Sequence, residues 1–199
     1  MTTLRIPVYY DFASTLCYVA HRVMQSMADD LGALAIDLDW RPVDLTRLAD
    51  WRRHAPIQGV RRENALRVAR ELGVPVRMPV EWPDSRHAHV VALGLPSAAK
   101  RAAWRERVWS GVHEEGRAID EPRALAAMAA DLGVDVLPRV TPAALRRLAA
   151  ETRAARQAGV SGVPTFELGT FPMAGIQEPA TMRATFERFS RHSRAREPT

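Results

Sequence analysis

Leu4, Ile6, Val8 and Tyr10 alternate along the chain, so residues 4–10 carry the period of two that predicts a strand. Over residues 15–31 the period lengthens. Leu16, Val19, Ala20, Val23, Met24, Met27 and Leu31 recur at three-to-four spacing, which predicts an amphipathic helix ended by Gly32. Alternation returns at Leu34, Ile36, Leu38 and Trp40, a second strand. Strand, helix and strand in this order predict a βαβ unit with parallel strands and a right-handed crossover.

From about residue 42 to 157 the period of two disappears and punctuated helices take over. One runs from Arg61 to Leu72 and ends at Gly73. A second follows Asp84-Ser85 and ends near Gly94, and Pro96 starts a third through Trp104, Val108 and Val112. Asp120-Glu121-Pro122 caps a fourth that stops at Gly133, and Thr141-Pro142 caps a fifth towards Gln157. Each proline stands at the first helical position, where a missing N–H removes no hydrogen bond.

Strands then return. Val163–Leu168 and Phe171–Ala174 flank Gly169-Thr170, a two-residue hairpin turn with glycine first. Residues 179–190 place Met182, Phe186 and Phe189 on one helical face, with Pro179 at the start. The order β-α-β, helical block, β-β-α predicts an α/β chain of thioredoxin-like fold with an inserted all-helical domain. Residues 1–42 and 158–192 form the split thioredoxin-like domain, 43–157 the helical insertion, and 193–199 a flexible tail.

With 199 residues, 47% of them hydrophobic, the chain has ample material for a sizeable core. No stretch approaches the ~20 uninterrupted apolar residues that span a bilayer, so no membrane is expected. The first residues enter a strand without a charged segment and a long apolar one. That argues against a secretory signal. A single cysteine excludes an internal disulfide framework. A cytoplasmic location fits best. The net charge of +5 invites a nucleic-acid reading, but all except Lys100 of the 28 Lys and Arg residues are Arg. They are spread along the chain, often beside Glu or Asp. This is compositional bias, and no nucleic-acid partner is expected.

The chemistry concentrates where strand one meets helix one. Ser14 lies at the carboxyl end of a strand and the start of a helix, where α/β folds place ligands. Free N–H groups and the positive helix end favour an anion there. A serine hydroxyl can donate to a thiolate on a bound cofactor; the plainer reading is a helix N-cap. Cys17, three residues on, is either an inert core thiol or a thiolate favoured by the helix terminus. Lacking a partner cysteine, it cannot cycle as an intramolecular dithiol. Val163-Pro164 opens a late strand. A cis proline there would expose the preceding backbone N–H and C=O for pairing with an extended peptide.

Asp11-Phe12-Ala13-Ser14-Thr15-Leu16-Cys17-Tyr18, Trp40-Arg41-Pro42-Val43 and Gly159-Val160-Ser161-Gly162-Val163-Pro164-Thr165-Phe166 resemble the DsbA-like thioredoxin-fold family. Within it, serine at the first motif position is similar to 2-hydroxychromene-2-carboxylate isomerases and kappa-class glutathione transferases. Leu72-Gly73-Val74-Pro75 and Trp82-Pro83-Asp84-Ser85-Arg86-His87-Ala88 resemble segments of their helical inserts. The resemblance implies glutathione across the corner, with its sulfur near Ser14 and its cysteinyl backbone paired with Val163 ahead of a cis Pro164. Its γ-glutamyl end would lie near Gly175-Ile176-Gln177-Glu178. The implied activity is a glutathione-dependent isomerase or transferase acting on a small aromatic electrophile, in a homodimer. Another low-molecular-weight thiol fits the same reading.

The chain departs from that subgroup in having Thr15 where proline is usual and in keeping Cys17 at the second thiol position. Gly175-Ile176-Gln177 also resembles cytoplasmic dithiol oxidoreductases of the family. Two alternatives therefore stay open: thiol-disulfide exchange through Cys17, and a non-catalytic peptide-binding module. Elsewhere, His87-Ala88-His89 suggests a metal, but side chains two apart diverge on a helix, so surface histidines and no metal are expected. Arg61 and Asn64 are candidates to face a substrate. Trp104 and Trp109 read as core or rim aromatics.

Overall fold

A computed structural model describes residues 3–134, 137 and 139–195. Its sheet has four strands in the order β2-β1-β3-β4. These are β1 (Leu4–Tyr10), β2 (Ile36–Pro42), β3 (Thr165–Leu168) and β4 (Phe171–Ala174). β1 pairs in parallel with β2, Val8 opposite Trp40, and antiparallel with β3, Val8 opposite Phe166. β3 and β4 form the hairpin around Gly169. Around the sheet lie eight α-helices among the described residues: α1 (Thr15–Ser26), α2 (Ala28–Ala33), α3 (Gly59–Glu71), α4 (Arg86–Gly94), α5 (Ala98–His113), α6 (Pro122–Ala130), α7 (Pro142–Gln157) and α8 (Pro179–Arg194). The architecture is the thioredoxin-like α/β fold with a helical insertion.

Several boundaries differ from the sequence expectation: Pro96 precedes the N-cap Ser97 of α5 instead of opening the helix, β3 begins at Thr165, and α6 ends at Ala130. The first helix breaks at Met27, whose N–H reaches the carbonyls of Val23 and Met24. Ser26 donates its hydroxyl to the Val23 carbonyl at 2.8 Å, a local competition that bends helices. Gly32 does not end the second piece; it lies inside α2, and the left-handed residue is Ala35 (φ 48°). The expected flexible tail at 193–199 is shorter at its start, because α8 runs through Arg194. That arginine donates to the Leu34 carbonyl at 2.7 Å, which ties the last turn to the body. Residues 196–199 of the expected tail lie outside the described residues.

The helical insertion does not have a core of its own. One cluster joins Ile6, Val8 and Tyr10 of β1 and Val19 and Val23 of α1 to Trp104, Trp109 and Leu125 of the insertion. Trp109 is completely buried and its ring lies 5.2 Å from Tyr10, 5.6 Å from Phe12 and 5.6 Å from Trp40. Burying side chains of this size is worth about 1.5–3 kcal/mol each, so the insertion and the sheet stabilise each other directly. Trp104 is equally buried and donates its indole N–H to the Ala88 carbonyl at 2.9 Å. On the opposite sheet face Tyr9 packs with Val43, Val160 and Ala155 of α7.

His113, at the end of α5, is fully buried with its ring 4.9 Å from that of Tyr18, and neither ring nitrogen has a partner. Burial pushes its pKa down to about 3. An unfolded chain takes up this proton near the ordinary value of about 6.5. The group therefore stabilises the fold fully above that pH, and the contribution is lost as pH falls towards about 3, by about 1.4 kcal/mol per pH unit. His113→Phe keeps the stacking and removes the titration. Denaturant unfolding of this variant should show a smaller loss of stability between about pH 7 and about pH 5 than the wild type. An equal loss in both would remove the assignment.

Candidate active site

The corner between β1 and α1 is built around the Asp11 carboxylate. One oxygen accepts the Ala13 N–H at 2.9 Å, closing a tight turn of the kind aspartate favours. The other accepts the Leu45 N–H at 2.8 Å, from the segment that follows β2. His89 of α4 places Nε2 3.2 Å from the first oxygen. The Asp11 carbonyl receives the Ser14 N–H at 3.0 Å. Burial alone pushes the Asp11 carboxyl up. The His89 charge and hydrogen bonds from His89, Ser85 and the Ala13 N–H outweigh it and hold the group below the usual carboxylate range.

Ser14 is the N-cap of α1, with extended backbone (φ −89°, ψ 112°) and its hydroxyl oxygen accepting from the Cys17 N–H at 3.4 Å. The residue is only 3% exposed. Thr15 beside it is as deeply buried, and its hydroxyl has no hydrogen-bond partner. The first turn of α1 contains no acidic side chain, so nothing of the helix's own neutralises its positive end.

Cys17 does not have the environment of a reactive thiol. It is completely buried, and burial pushes its pKa up to about 12, the hydrogen bond with Ser14 acting in the opposite direction. Of the two readings the inert core thiol holds: desolvation outweighs what the helix terminus offers, and among the described residues no cation offsets it at the sulfur.

Val163 and Pro164 sit beside this corner. Val8 faces Phe166 and Tyr9 faces Thr165 in the antiparallel pairing, and Val163 and Pro164 immediately precede β3. The Val163–Pro164 peptide bond is cis. Among the described residues the Val163 N–H and C=O make no hydrogen bond, whereas the Pro164 carbonyl accepts the Gly175 N–H at 2.8 Å. This bond brings the 175–178 segment alongside. Gly175 adopts φ 88°, a conformation that suits glycine. Ile176 is buried, while Gln177 and Glu178 are exposed at the start of α8.

The remaining candidates separate. His89 is not a surface histidine: α4 packs against the sheet, and its inner face carries the ring fully into the core against Phe12 at 4.8 Å. Arg61 and Asn64 are exposed on α3. Arg61 lies over the Trp51 ring and Asn64 accepts from Arg67 at 2.9 Å. Asp11 and His89 were missed as site residues. The Asp-x-x-Ser spacing before a helix was the one local signal available for Asp11; nothing local marks His89 as its partner. A cavity of about 330 Å³ opens in the insertion, lined by His54, Arg77, Met78, Trp82 and Asp120 among others, and none of Ser14, Val163 and Pro164 borders it. No helix among the described residues is long and apolar enough to cross a membrane.

A four-stranded sheet of this order, a capped corner and a cis proline ahead of β3 define a class, the thioredoxin-like α/β proteins. The sequence matches the DSBA-like thioredoxin domain over residues 5–187, and the chain belongs to that family. Among solved structures it is similar to a 2-hydroxychromene-2-carboxylate isomerase at 22% identity and a TM-score of 0.75, covering 98% of this chain and 100% of the other. A putative protein disulfide isomerase from Nitrosomonas europaea matches at 17% identity and 0.71, over 96% and 99%. The cytosolic disulfide reductase DsbM from Pseudomonas aeruginosa, solved with GSH, matches at 20% identity and 0.65, over 94% and 100%. At such identities the likeness is one of fold. No curated protein matches the sequence significantly.

The burial of Cys17 has a direct consequence in solution. A water-soluble thiol reagent at neutral pH should leave the native protein unlabelled and modify one thiol per chain in denaturant. Fast labelling of the native protein would contradict the burial.

Proposed function

We propose that this protein is a glutathione-dependent isomerase or transferase acting on a small aromatic electrophile. The observation that carries the reading is the unbonded N–H and C=O of Val163 together with the Ser14-capped start of α1, whose first turn holds no acidic side chain. An extended peptide could use both Val163 groups as an added strand, and the helix end attracts the anion such a peptide brings. Glutathione, when bound, supplies a thiolate that adds to an electrophilic carbon.

Each residue then has a task. Ser14 holds the thiolate by donating its hydroxyl, the role that serine at this position takes where the redox branch has cysteine. Val163 fixes the peptide backbone, and Gly175, Gln177 and Glu178 receive the γ-glutamyl end, with Gln177 and Glu178 open to solvent. The unpartnered Thr15 hydroxyl suits a ligand at the same corner. Ser14 is nearly covered, so the segments over it must part to admit sulfur. The solved DsbM structure with GSH supports glutathione over another small thiol. The burial of Cys17 weighs against disulfide exchange as the alternative activity.

Calorimetric titration with reduced glutathione tests the reading. The wild type should bind saturably. Ser14→Ala should bind about tenfold more weakly or worse, the loss expected for a hydrogen bond to a charged group. No binding by the wild type would exclude glutathione, and equal binding by both would remove the role of Ser14.

A further inference from the structure

Asp11 and His89 form an ion-pair geometry, 1% and 0% exposed, directly beneath the residue on which the proposed function turns. Its members come from separate parts of the chain: Asp11 from the corner, His89 from the insertion. The carboxylate is held from three sides, by the Ala13 and Leu45 N–H groups and by His89 Nε2. His89 Nδ1 is buried without a partner, so the ring's one polar contact is with Asp11. Such burial is costly unless the pair is held in one arrangement. The arrangement lies at the turn whose Asp11 carbonyl receives the Ser14 N–H.

We propose that the Asp11–His89 pair is a positioning device for the Ser14 corner: the insertion, through His89, anchors the turn that presents the hydroxyl and tempers the negative charge beneath it. This rests on the reading that a thiolate is held at residue 14. The charge of Asp11 already acts on the neighbouring Cys17 thiol, disfavouring its ionisation, so its field reaches the first turn of α1. An unrelieved carboxylate there would repel the thiolate that Ser14 holds. His89 draws that charge towards itself and away from the site. The charged groups around this cluster include Asp44 beside Leu45, paired with Arg53 and Arg47, Asp84 beside Ser85, paired with Arg53 and Arg86, and Arg101 and Arg105 of α5, which act on Tyr10. Ser85, just before α4, shares the carboxylate with His89.

The test uses a thiol placed at the site, with no cofactor present. In a Cys17→Ala background, Ser14→Cys supplies one thiol whose ionisation is followed by ultraviolet thiolate absorbance against pH. Adding Asp11→Asn removes a negative charge from beneath it and should lower the midpoint by about one pH unit. Adding His89→Leu leaves the carboxylate to the Ala13, Leu45 and Ser85 donors; still an anion in the alkaline range where a thiol titrates, it should raise the midpoint by a similar amount. His89→Gln keeps a donor at nearly the same reach without the charge and should bring the midpoint part of the way back to its parent. Opposite shifts, partly restored by Gln, support the pair; a general loosening of the corner would move both variants in one direction. Shifts of the same sign, no shift, or loss of the folded circular-dichroism signal in both Asp11→Asn and His89→Leu would overturn it. Glutathione titration of the Ser14 protein is read separately, so failure of the glutathione reading leaves this result standing on its own.

Discussion

A carboxylate taken almost completely out of water survives as an anion only if donors meet it from several directions. Asp11 satisfies that condition with donors from three stretches of chain: Ala13 in its own turn, Leu45 after β2, and His89 on α4. The requirement fixes the path of the chain between β1 and α1 and draws the insertion onto the corner. Everything that makes Ser14 a candidate site follows from where this turn ends. The hydroxyl caps α1 at its positive end, and β3, which Val163 and Pro164 precede, pairs with the β1 strand that leads into the turn.

The same constraint explains why the insertion behaves as part of one body. Trp109 stands among Tyr10, Phe12 and Trp40, so β1, the corner and β2 all pack on an insertion side chain. Thr152 of α7 adds a polar tie, its hydroxyl accepting the Asp44 N–H and donating to the Leu148 carbonyl, both at 2.9 Å. Such joints transmit a change in the insertion to the corner, since close-packed interiors do not deform smoothly.

Serine in place of the first cysteine turns the logic of the site round. In a dithiol protein the helix end stabilises a thiolate of the protein's own. Here the remaining thiol, Cys17, points into the core, and its ionisation is opposed by burial. Val163, its N–H and C=O unbonded among the described residues, offers a backbone edge of the kind extended peptides pair with.

Much of the fold was legible because its signals are local. Thr141 accepts a hydrogen bond at the start of α7 at 3.1 Å, Pro179 opens α8, and Gly169 turns the β3–β4 hairpin, each within a few residues of the pattern that announces it. The Ser14 cap and the Val163-Pro164 segment were legible for the same reason. The break at Met27, the left-handed Ala35 and the continuation of α8 to Arg194 were not, because they answer to bonds and packing made at a distance. Cys17 and His89 show the limit most clearly. Local spacing left the first open between core thiol and thiolate and placed the second on a helix surface. Only the folded arrangement buries the sulfur, which suppresses its ionisation, and turns the imidazole inward to meet Asp11. Sequence spacing specifies which face of an element a residue occupies; what that face meets, and hence the dielectric and partners that set its chemistry, is decided by segments far away in the chain.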